Sequence, residues 1–200
     1  MPVLWLAGLL ALPATGMSSA TAAPPWVVRT WQSDVGLPDN TVVGIGQTPD
    51  GFLWVATSTG LARFDGVRFR SFPVTAPGAP AGRIRNLLAD RRNRVWIAKE
   101  HGVVVCVDQG RTTMVVGPEH AAADIEYRRG MVEDAEGAVW VSYGNGEVLR
   151  IQDGQVRSFT TADGLPAGGF CHLVKDGVGR LWFSKGDWVG VFRDGGFRPL

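Results

Sequence analysis

A tryptophan in a constant setting recurs at a nearly fixed interval along this chain. The intervals between Trp54, Trp96, Trp140 and Trp182 are 42, 44 and 42 residues, and the four lie in the short apolar runs FLWVA, RVWIA, AVWVS and RLWFS. A period of about 20 to 50 residues is typical of proteins that stack copies of one supersecondary unit. The fold must therefore place four similar units side by side.

The residues around each tryptophan predict four short β-strands per repeat. A first apolar stretch contains the position nine before tryptophan, and a turn follows at the position three before it, where Gly or Asn adopts positive φ easily. The tryptophan run is a second strand, and the third and fourth strands flank an Asp-Gly or Asp-Gln-Gly hairpin signal. The first-strand positions are Ile45, Leu87, Met131 and Leu173, and the turn positions are Gly51, Asn93, Gly137 and Gly179.

Four antiparallel strands in about 43 residues predict one blade of a β-propeller. The 27 glycines and 12 prolines agree with many tight turns in an all-β fold. A blade cannot bury both of its faces alone, so we expect the four tryptophans to fill the space between neighbouring blades rather than to form an aromatic cage. The aspartates six residues before tryptophan, Asp90, Asp134 and Asp176, are predicted to accept backbone N–H bonds in turns rather than to act as general acids.

Residues 1–22 form a separate segment. The uncharged apolar run VLWLAGLLALPATG is followed by Ala20-Thr21-Ala22, a pattern typical of a secretory signal peptide cleaved after Ala22. The positive n-region is missing, because no Lys or Arg precedes Arg29. Two alternatives stay open, a misassigned start codon and an uncleaved anchor. The predicted division is a signal peptide at 1–22 and a partial propeller at 23–200.

The stretch after the signal peptide aligns with the end of the third repeat. VVRTWQSDVGLP superposes on VRSFTTADGLP, which places Trp31 on Phe159. We therefore expect Val27–Trp31 to be the outer strand of a blade that closes the propeller. The fourth repeat already has its own outer strand near Phe197, so this prediction calls for a blade beyond residue 200.

Charge and cysteine content narrow the function classes. The net charge of +1 argues against a nucleic-acid surface and against polybasic membrane binding. Cys106 and Cys171 occupy different positions in their repeats, so they are interpreted as small apolar strand residues, with a disulfide or a metal site left open as the alternatives. The sequence has no zinc-ligand spacing, nucleophile motif or phosphate loop, and we predict no metal, cofactor or catalytic residue.

The string GLPDNTVVGIGQTPDGFLWVATSTGLARFDGVRFRSF resembles the two-component regulator propeller repeat. The likeness extends over residues 24–200 and is weakest in the second repeat, where APAGRIRN replaces Gly-Leu-Pro. The resemblance implies the periplasmic sensor region of a hybrid two-component sensor, another sensor histidine kinase or a diguanylate cyclase. It also implies one or two propellers of seven blades, often followed by a further β-sandwich, a membrane helix and a cytoplasmic kinase or output module.

The loops between second and third strands, which open on one end of a propeller, are the predicted ligand-binding rim. Their charged, amide and aromatic groups suit a small polar or saccharide-like ligand, and the fourth loop is expected to be two residues longer than the others. His172 is added because it takes the innermost-strand position of Gly44, Asn86 and Gly130 and is expected to line the channel. Two alternatives stay open, a purely structural role for His172 and a role for Trp188 as a cover over the edge of its blade. The candidate residues are Lys99, His101, Tyr143, Asn145, Lys185, Asp187, Trp188 and His172.

These expectations predict an extracytoplasmic ligand-sensing propeller of a transmembrane two-component protein, on the periplasmic side of a bacterial inner membrane. Its partners would be the small polar ligand or an adjacent sensor domain, with a homodimer left open and membrane attachment only through a downstream helix. Two other classes stay open. One is a protein-binding scaffold, and the other is an enzyme of the streptogramin-lyase type, for which His101 with Glu100 is the candidate pair.

Overall fold

The computed structural model describes residues 28–119 and 130–200, so the predicted signal peptide and Val27 lie outside the described residues. The chain divides into two compact units, Met1–Thr30 and Trp31–Leu200. The described part of the first unit, residues 28–30, is exposed and has no regular secondary structure. None of the described residues belongs to a helix of the length and apolarity needed to cross a membrane.

In the second unit, the described residues form sixteen strands in four antiparallel sheets, each built from four consecutive strands in chain order. Blade 1 consists of β1 (Val42–Gln47), β2 (Leu53–Thr57), β3 (Leu61–Phe64) and β4 (Phe69–Phe72). Blade 2 consists of β5 (Ile84–Ala89), β6 (Val95–Lys99), β7 (Val104–Asp108) and β8 (Arg111–Val116). Blade 3 consists of β9 (Gly130–Glu133), β10 (Val139–Ser142), β11 (Val148–Gln152) and β12 (Gln155–Phe159). Blade 4 consists of β13 (Cys171–Lys175), β14 (Leu181–Lys185), β15 (Trp188–Arg193) and β16 (Gly196–Pro199).

The predicted turn between first and second strands is confirmed in every blade. Gly51, Asn93, Gly137 and Gly179 all have positive φ, between 61° and 90°. The predicted all-β fold and the order of the strands within each repeat are also confirmed.

The hairpin between third and fourth strands matches the prediction in three blades of four. In blades 2 to 4 the two loop residues both have positive φ, as a type I′ turn requires; they are Gln109-Gly110, Asp153-Gly154 and Asp194-Gly195. In blade 1 the prediction is wrong, because Phe64 pairs with Phe69 and the loop has four residues. There the Asp65 carboxylate accepts the backbone N–H groups of Val67 and Arg68, at 3.0 and 2.9 Å, so the turn closes around a side chain.

The tryptophans lie between blades, as predicted. Trp54 packs with residues of blade 2, Trp96 with residues of blade 3 and Trp140 with residues of blade 4, and all three are buried. Each indole therefore lies between its own sheet and the sheet of the next blade. Trp182 is on the equivalent face of blade 4 and is half-buried.

The segment before blade 1 packs as the segment between blades 3 and 4 does. Trp31 makes edge contacts with Phe64 and Phe69, at centroid distances of 5.6 and 6.1 Å, and Phe159 makes the same contacts with the equivalent Phe192 and Phe197, at 5.4 and 5.6 Å. A short 3₁₀ turn follows in each case, at Ser33–Val35 and Thr161–Asp163, and ends at a glycine with positive φ. Leu37 and Leu165 then enter the core of the following blade.

The alignment of the two segments is thus matched by their packing, although residues 28–31 form no strand in the structure. Val27–Trp31 was predicted to pair with a blade that the sequence does not contain. That pairing, and a total of seven blades, stay predictions.

Candidate functional site

The loops between second and third strands lie beside the segments that lead into the first strands. The backbone N–H of Ser58 donates to Thr41 O at 2.9 Å, before β1, and Ser58 O accepts from the N–H of Ile84, at the start of β5, at 3.0 Å. In blade 2 the N–H of Glu100 donates to Arg83 O at 2.9 Å. These loops and the inter-blade segments therefore form one end of the sheets, which we call the rim.

The expected length of the fourth rim loop is wrong. Ser184 pairs with Val189 and Lys185 with Trp188, which leaves a two-residue turn at 186–187. The loops can be compared by counting from the residue two after tryptophan to its partner on the third strand. Four residues intervene in blades 1 and 4, and five intervene in blades 2 and 3. Trp188 consequently begins β15, and the residue is 53% exposed.

Three of the predicted ligand residues occupy one repeat position, three after tryptophan, where the side chain is buried and bonds to a backbone carbonyl. Lys99 Nζ donates to Pro80 O at 3.0 Å, and Tyr143 OH donates to Gly102 O at 2.8 Å. Lys185 Nζ donates to Gly146 O at 2.9 Å and to Gly169 O at 2.8 Å. Because the acceptors lie in the preceding blade or in an inter-blade segment, these side chains join neighbouring blades at the rim.

The pKa of Lys99 and that of Lys185 are both lowered by burial, since the charged form loses hydration. No carboxylate among the described residues forms an ion pair with Lys99 or Lys185, whose polar contacts are carbonyl oxygens. Buried cations are normally paired with an anion. These two lysines therefore depart from the usual arrangement of charge in a folded protein.

The other predicted rim residues are exposed. His101 has a positive φ of 58° in its loop, Asn145 accepts the N–H of Glu147 through Oδ1 at 2.8 Å, and Asp187 lies in the tight turn before Trp188. These four positions belong to three different blades. The structure places them at the rim, and their role in binding stays a prediction.

His172 is on the innermost strand, as its repeat position predicts. It pairs with Ser184, and therefore lies on the same face of blade 4 as Trp182, where it is exposed. Its ring makes an edge contact with Phe170 at a centroid distance of 4.5 Å. The ligand role of His172 is not tested by this placement.

A cleft of about 370 Å³ opens at the rim between blades 3 and 4. It brings together two of the predicted residues, Asn145 and Lys185, with groups that the sequence did not single out. Those groups are Glu147, the hydroxyl side chains of Ser158, Thr160 and Thr161, and the apolar side chains of Phe159, Leu165 and Pro166. Thr160 also caps the 3₁₀ turn, since its Oγ1 accepts the N–H of Ala162 at 3.2 Å. The Thr-x-x-Asp spacing at 160–163 marks this turn in the sequence, but nothing in the sequence shows which loop it faces.

Glu100, the acidic member of the His101–Glu100 pair considered for a lyase reaction, is bound by other groups. The Glu100 carboxylate accepts the backbone N–H of Arg83 at 2.9 Å and forms an ion pair with Arg85 at 2.5 Å. These contacts, led by the bond from Arg83, lower the pKa of Glu100. A carboxylate held in its ionised form in this way is a poor general acid.

The cysteines are free and buried. Burial raises the pKa of Cys106 to about 12 and that of Cys171 to about 11, so both are neutral thiols at physiological pH. Within residues 28–119 and 130–200, no group of three His, Cys, Asp or Glu side chains is arranged to hold a metal ion.

Comparison with known proteins gives a family match within blade 1. Residues 36–59 match the family model described as two component regulator propeller. No curated protein matches the sequence.

The fold is shared with several solved structures. Virginiamycin B lyase from Staphylococcus aureus is similar with a TM-score of 0.63 and 18% identity, over 80% of this chain and 55% of the lyase. The extracellular domain of a candidate one-component system from B. thetaiotaomicron gives 0.58 and 19%, over 82% of this chain and 22% of that one. A gluconolactonase from Xanthomonas campestris gives 0.54 and 19%, over 80% and 62%.

At these identities the likeness shows the fold alone. The chain spans about half of the length of the lyase structures that it matches. The family model adds what the fold cannot, because it matches the sequence of the segment that leads into β1 and of the first hairpin. The chain thus carries a two-component regulator propeller repeat in its first blade.

Proposed function

We propose that this chain is the extracytoplasmic ligand-sensing propeller of a transmembrane two-component signalling protein, and that it performs no chemistry itself. The observation that carries this proposal is the match of residues 36–59 to the two-component regulator propeller family. The rim supports it, because exposed polar and aromatic side chains lie there above sheets that pack against one another through buried apolar clusters.

Sensing requires only that a ligand binds one arrangement of the protein better than another. A tenfold difference in affinity supplies about 1.4 kcal/mol to shift a signalling equilibrium. The exposed rim residues must then matter more to signalling than the buried strand residues do.

The test of sensing uses the full-length signalling protein and a reporter gene under its control. Replacing His101, Asn145, Asp187 and Trp188 together by alanine should abolish the response while the melting temperature and the membrane level are kept. The matched control replaces Gln109, Asp153 and Asp194, in the hairpins at the opposite end of the sheets, by asparagine. A response that survives the rim substitutions, or that the control substitutions abolish equally, contradicts the proposal.

The test of location is a fusion of alkaline phosphatase after Leu200, since this enzyme is active only where its disulfides form. We expect phosphatase activity in cells that carry the intact fusion. Deleting residues 1–22 should remove that activity. An inactive intact fusion contradicts the proposed export.

A further inference from the structure

We propose that the cleft between blades 3 and 4 binds a small polyhydroxylated acid, with the ligand carboxylate seated at the Lys185 ammonium. This inference rests on the proposed sensing function and specifies the chemistry of its ligand. It is carried by an incompletely paired buried cation, by the shape of the cleft around it and by the distribution of polar groups along the cleft walls.

Lys185 supplies the cation. Its side chain is buried, with the residue 4% exposed, and Nζ donates to the carbonyl oxygens of Gly146 and Gly169. An ammonium group has three N–H donors. The third donor has no acceptor among the described residues, and a ligand carboxylate would supply both the missing bond and the missing negative charge.

Gly146 keeps the ammonium in this position. Its φ of +86° is a left-handed value, and a Cβ atom built at residue 146 would overlap both Lys185 Nζ and Gly169 O. The two carbonyls and the ammonium therefore fit together only because this loop position carries no side chain. The two carbonyl groups hold the ammonium at the wall of the cleft in the absence of a ligand, and such preorganisation favours affinity.

The cleft is large enough for a small molecule, since about 370 Å³ lies within the range of about 300–1,000 Å³ of small-ligand pockets. Ser158, Thr160 and Thr161 line it with hydroxyl groups, and Asn145 adds an amide. This lining is suited to a ligand that carries several hydroxyl groups of its own.

Glu147 determines which way such a ligand lies. Its carboxylate accepts from Ser158 Oγ at 3.5 Å on the same cleft wall. A second negative charge beside Glu147 would be repelled, whereas hydroxyl groups can donate to it. The ligand carboxylate therefore belongs at the Lys185 end, and the hydroxyl groups belong at the Glu147 end.

The test compares two probes that differ at one carbon. D-Gluconate carries a carboxylate where D-glucitol carries a hydroxymethyl group, and titration calorimetry on the full-length signalling protein measures both. We expect gluconate to bind at least about tenfold more tightly than glucitol, a difference of about 1.4 kcal/mol. Equal binding of the two probes, or binding of neither, overturns the proposal and leaves Lys185 as a connector between blades.

A charge placed in the cleft separates binding from folding. Thr161 is an exposed cleft residue at the first position of its 3₁₀ turn, where an acidic side chain is tolerated. Thr161→Asp should lower the affinity for gluconate by about tenfold while the melting temperature is kept. Ser33→Asp is the matched control, because Ser33 opens the equivalent turn before blade 1 and should leave gluconate binding unchanged. Equal effects of the two variants overturn the proposal.

Lys185→Met tests the cation directly and should remove the preference for gluconate over glucitol. The melting temperature of this variant shows whether it folds. If it does not fold, the comparison of Thr161→Asp with Ser33→Asp decides whether the cleft binds the acid. These outcomes are separate from those of the sensing proposal. If the protein signals but does not discriminate gluconate from glucitol, only the acid site is rejected. If it binds gluconate but does not signal, only the sensing function is rejected.

Discussion

At the scale of single residues, one carboxylate organises each tryptophan of blades 2 to 4. In blade 2, Asp90 Oδ1 accepts the N–H groups of Arg92 and Arg94, both at 2.9 Å. Its Oδ2 accepts from the indole of Trp96 at 2.8 Å and from Arg94 Nε at 2.7 Å. The same side chain thus closes the turn and fixes the ring that the next blade packs against.

Asp90→Ala should lower the free energy of unfolding by about 3–5 kcal/mol, the usual cost of removing one partner of a buried ion pair. The residue is 1% exposed, and its loss leaves the indole N–H and the Arg94 guanidinium without their acceptor. Asp108→Ala is the control, an exposed aspartate of the same blade, with an expected change within about 0.5 kcal/mol. Urea denaturation measures both, and equal effects contradict the assigned role of Asp90.

In blade 1 the acceptor of the indole N–H is a threonine instead of an aspartate. Thr48 takes the equivalent position, and its Oγ1 accepts from Trp54 Nε1 at 3.1 Å and donates to Asp50 Oδ1 at 2.5 Å. A hydroxyl therefore carries the bond from the indole to a carboxylate two residues further on. The sequence predicted that these aspartates bind backbone N–H groups, but not that they bind the indole, because that bond depends on the rotamer of the tryptophan.

Acid should weaken the fold through Asp176. The indole N–H of Trp182, followed by Arg180, holds the pKa of Asp176 well below its ordinary value of 3.8. A carboxyl whose pKa is lowered by folding stabilises the fold above about pH 4, and this stabilisation is lost as the pH falls below that value. Asp176→Asn should therefore show a smaller loss of the urea midpoint between about pH 6 and pH 3 than the parent chain shows. An unchanged pH profile contradicts this assignment.

At the scale of elements, the segments that join consecutive sheets are more constrained than the hairpins within a sheet. Gly164 ends the 3₁₀ turn before blade 4 with a φ of +83°, and a Cβ atom there would overlap Phe197 O. Gly154, in the hairpin of blade 3, has nearly the same φ, +79°, with no atom within 4 Å of the position of a Cβ atom.

This pair of glycines separates backbone strain from steric overlap. Gly154→Ala should cost about 1 kcal/mol, because only the left-handed conformation opposes the methyl group. Gly164→Ala should cost at least about 2 kcal/mol more, since the 3₁₀ turn must also move away from β16. Thermal denaturation of the two variants measures the difference, and equal costs would show that the turn relaxes freely.

The elements that follow from backbone conformation were the predictable ones. Strand order, the first turn of each blade and three of the four hairpins follow from alternation, glycine and Asp-Gly signals. The prediction for the blade 1 hairpin is wrong, because the Asp65 carboxylate binds the backbone N–H groups that a two-residue turn would use. Rim chemistry was also beyond the sequence, since Lys99, Tyr143 and Lys185 look like surface residues until their neighbours are placed beside them.

At the scale of the whole molecule, one face of blade 4 differs from the equivalent faces of the other blades. Blades 1 to 3 cover this side with the next sheet, whereas in blade 4 Val174 and Val189 are 61% and 52% exposed beside the half-buried Trp182. Apolar surface in water costs about 25 cal/mol per Å². Such a face favours association with another apolar surface.

The isolated fragment 23–200 should therefore bind the dye ANS or aggregate. Replacing both Val174 and Val189 by threonine keeps the β-branched shape and should reduce dye fluorescence severalfold, with little change in the melting temperature. Val67→Thr is the control, an exposed valine in the blade 1 hairpin with 82% exposure. A parent fragment that is monomeric and does not bind the dye contradicts this prediction.

The shared packing of Trp31 and Phe159 has a consequence for how such a chain can lengthen or shorten. In both segments the aromatic residue, the glycine that ends the 3₁₀ turn and the buried leucine all contact the sheet that follows them, so packing contacts do not end at the boundary of a sheet. A gene segment cut between sheets would separate Phe159 from Phe192, whereas a cut within the exposed hairpin at Asp153-Gly154 would leave that pair together. That second cut would in turn separate Phe159 from Trp140 of blade 3, at a centroid distance of 5.0 Å, so Phe159 links the packing of two consecutive sheets.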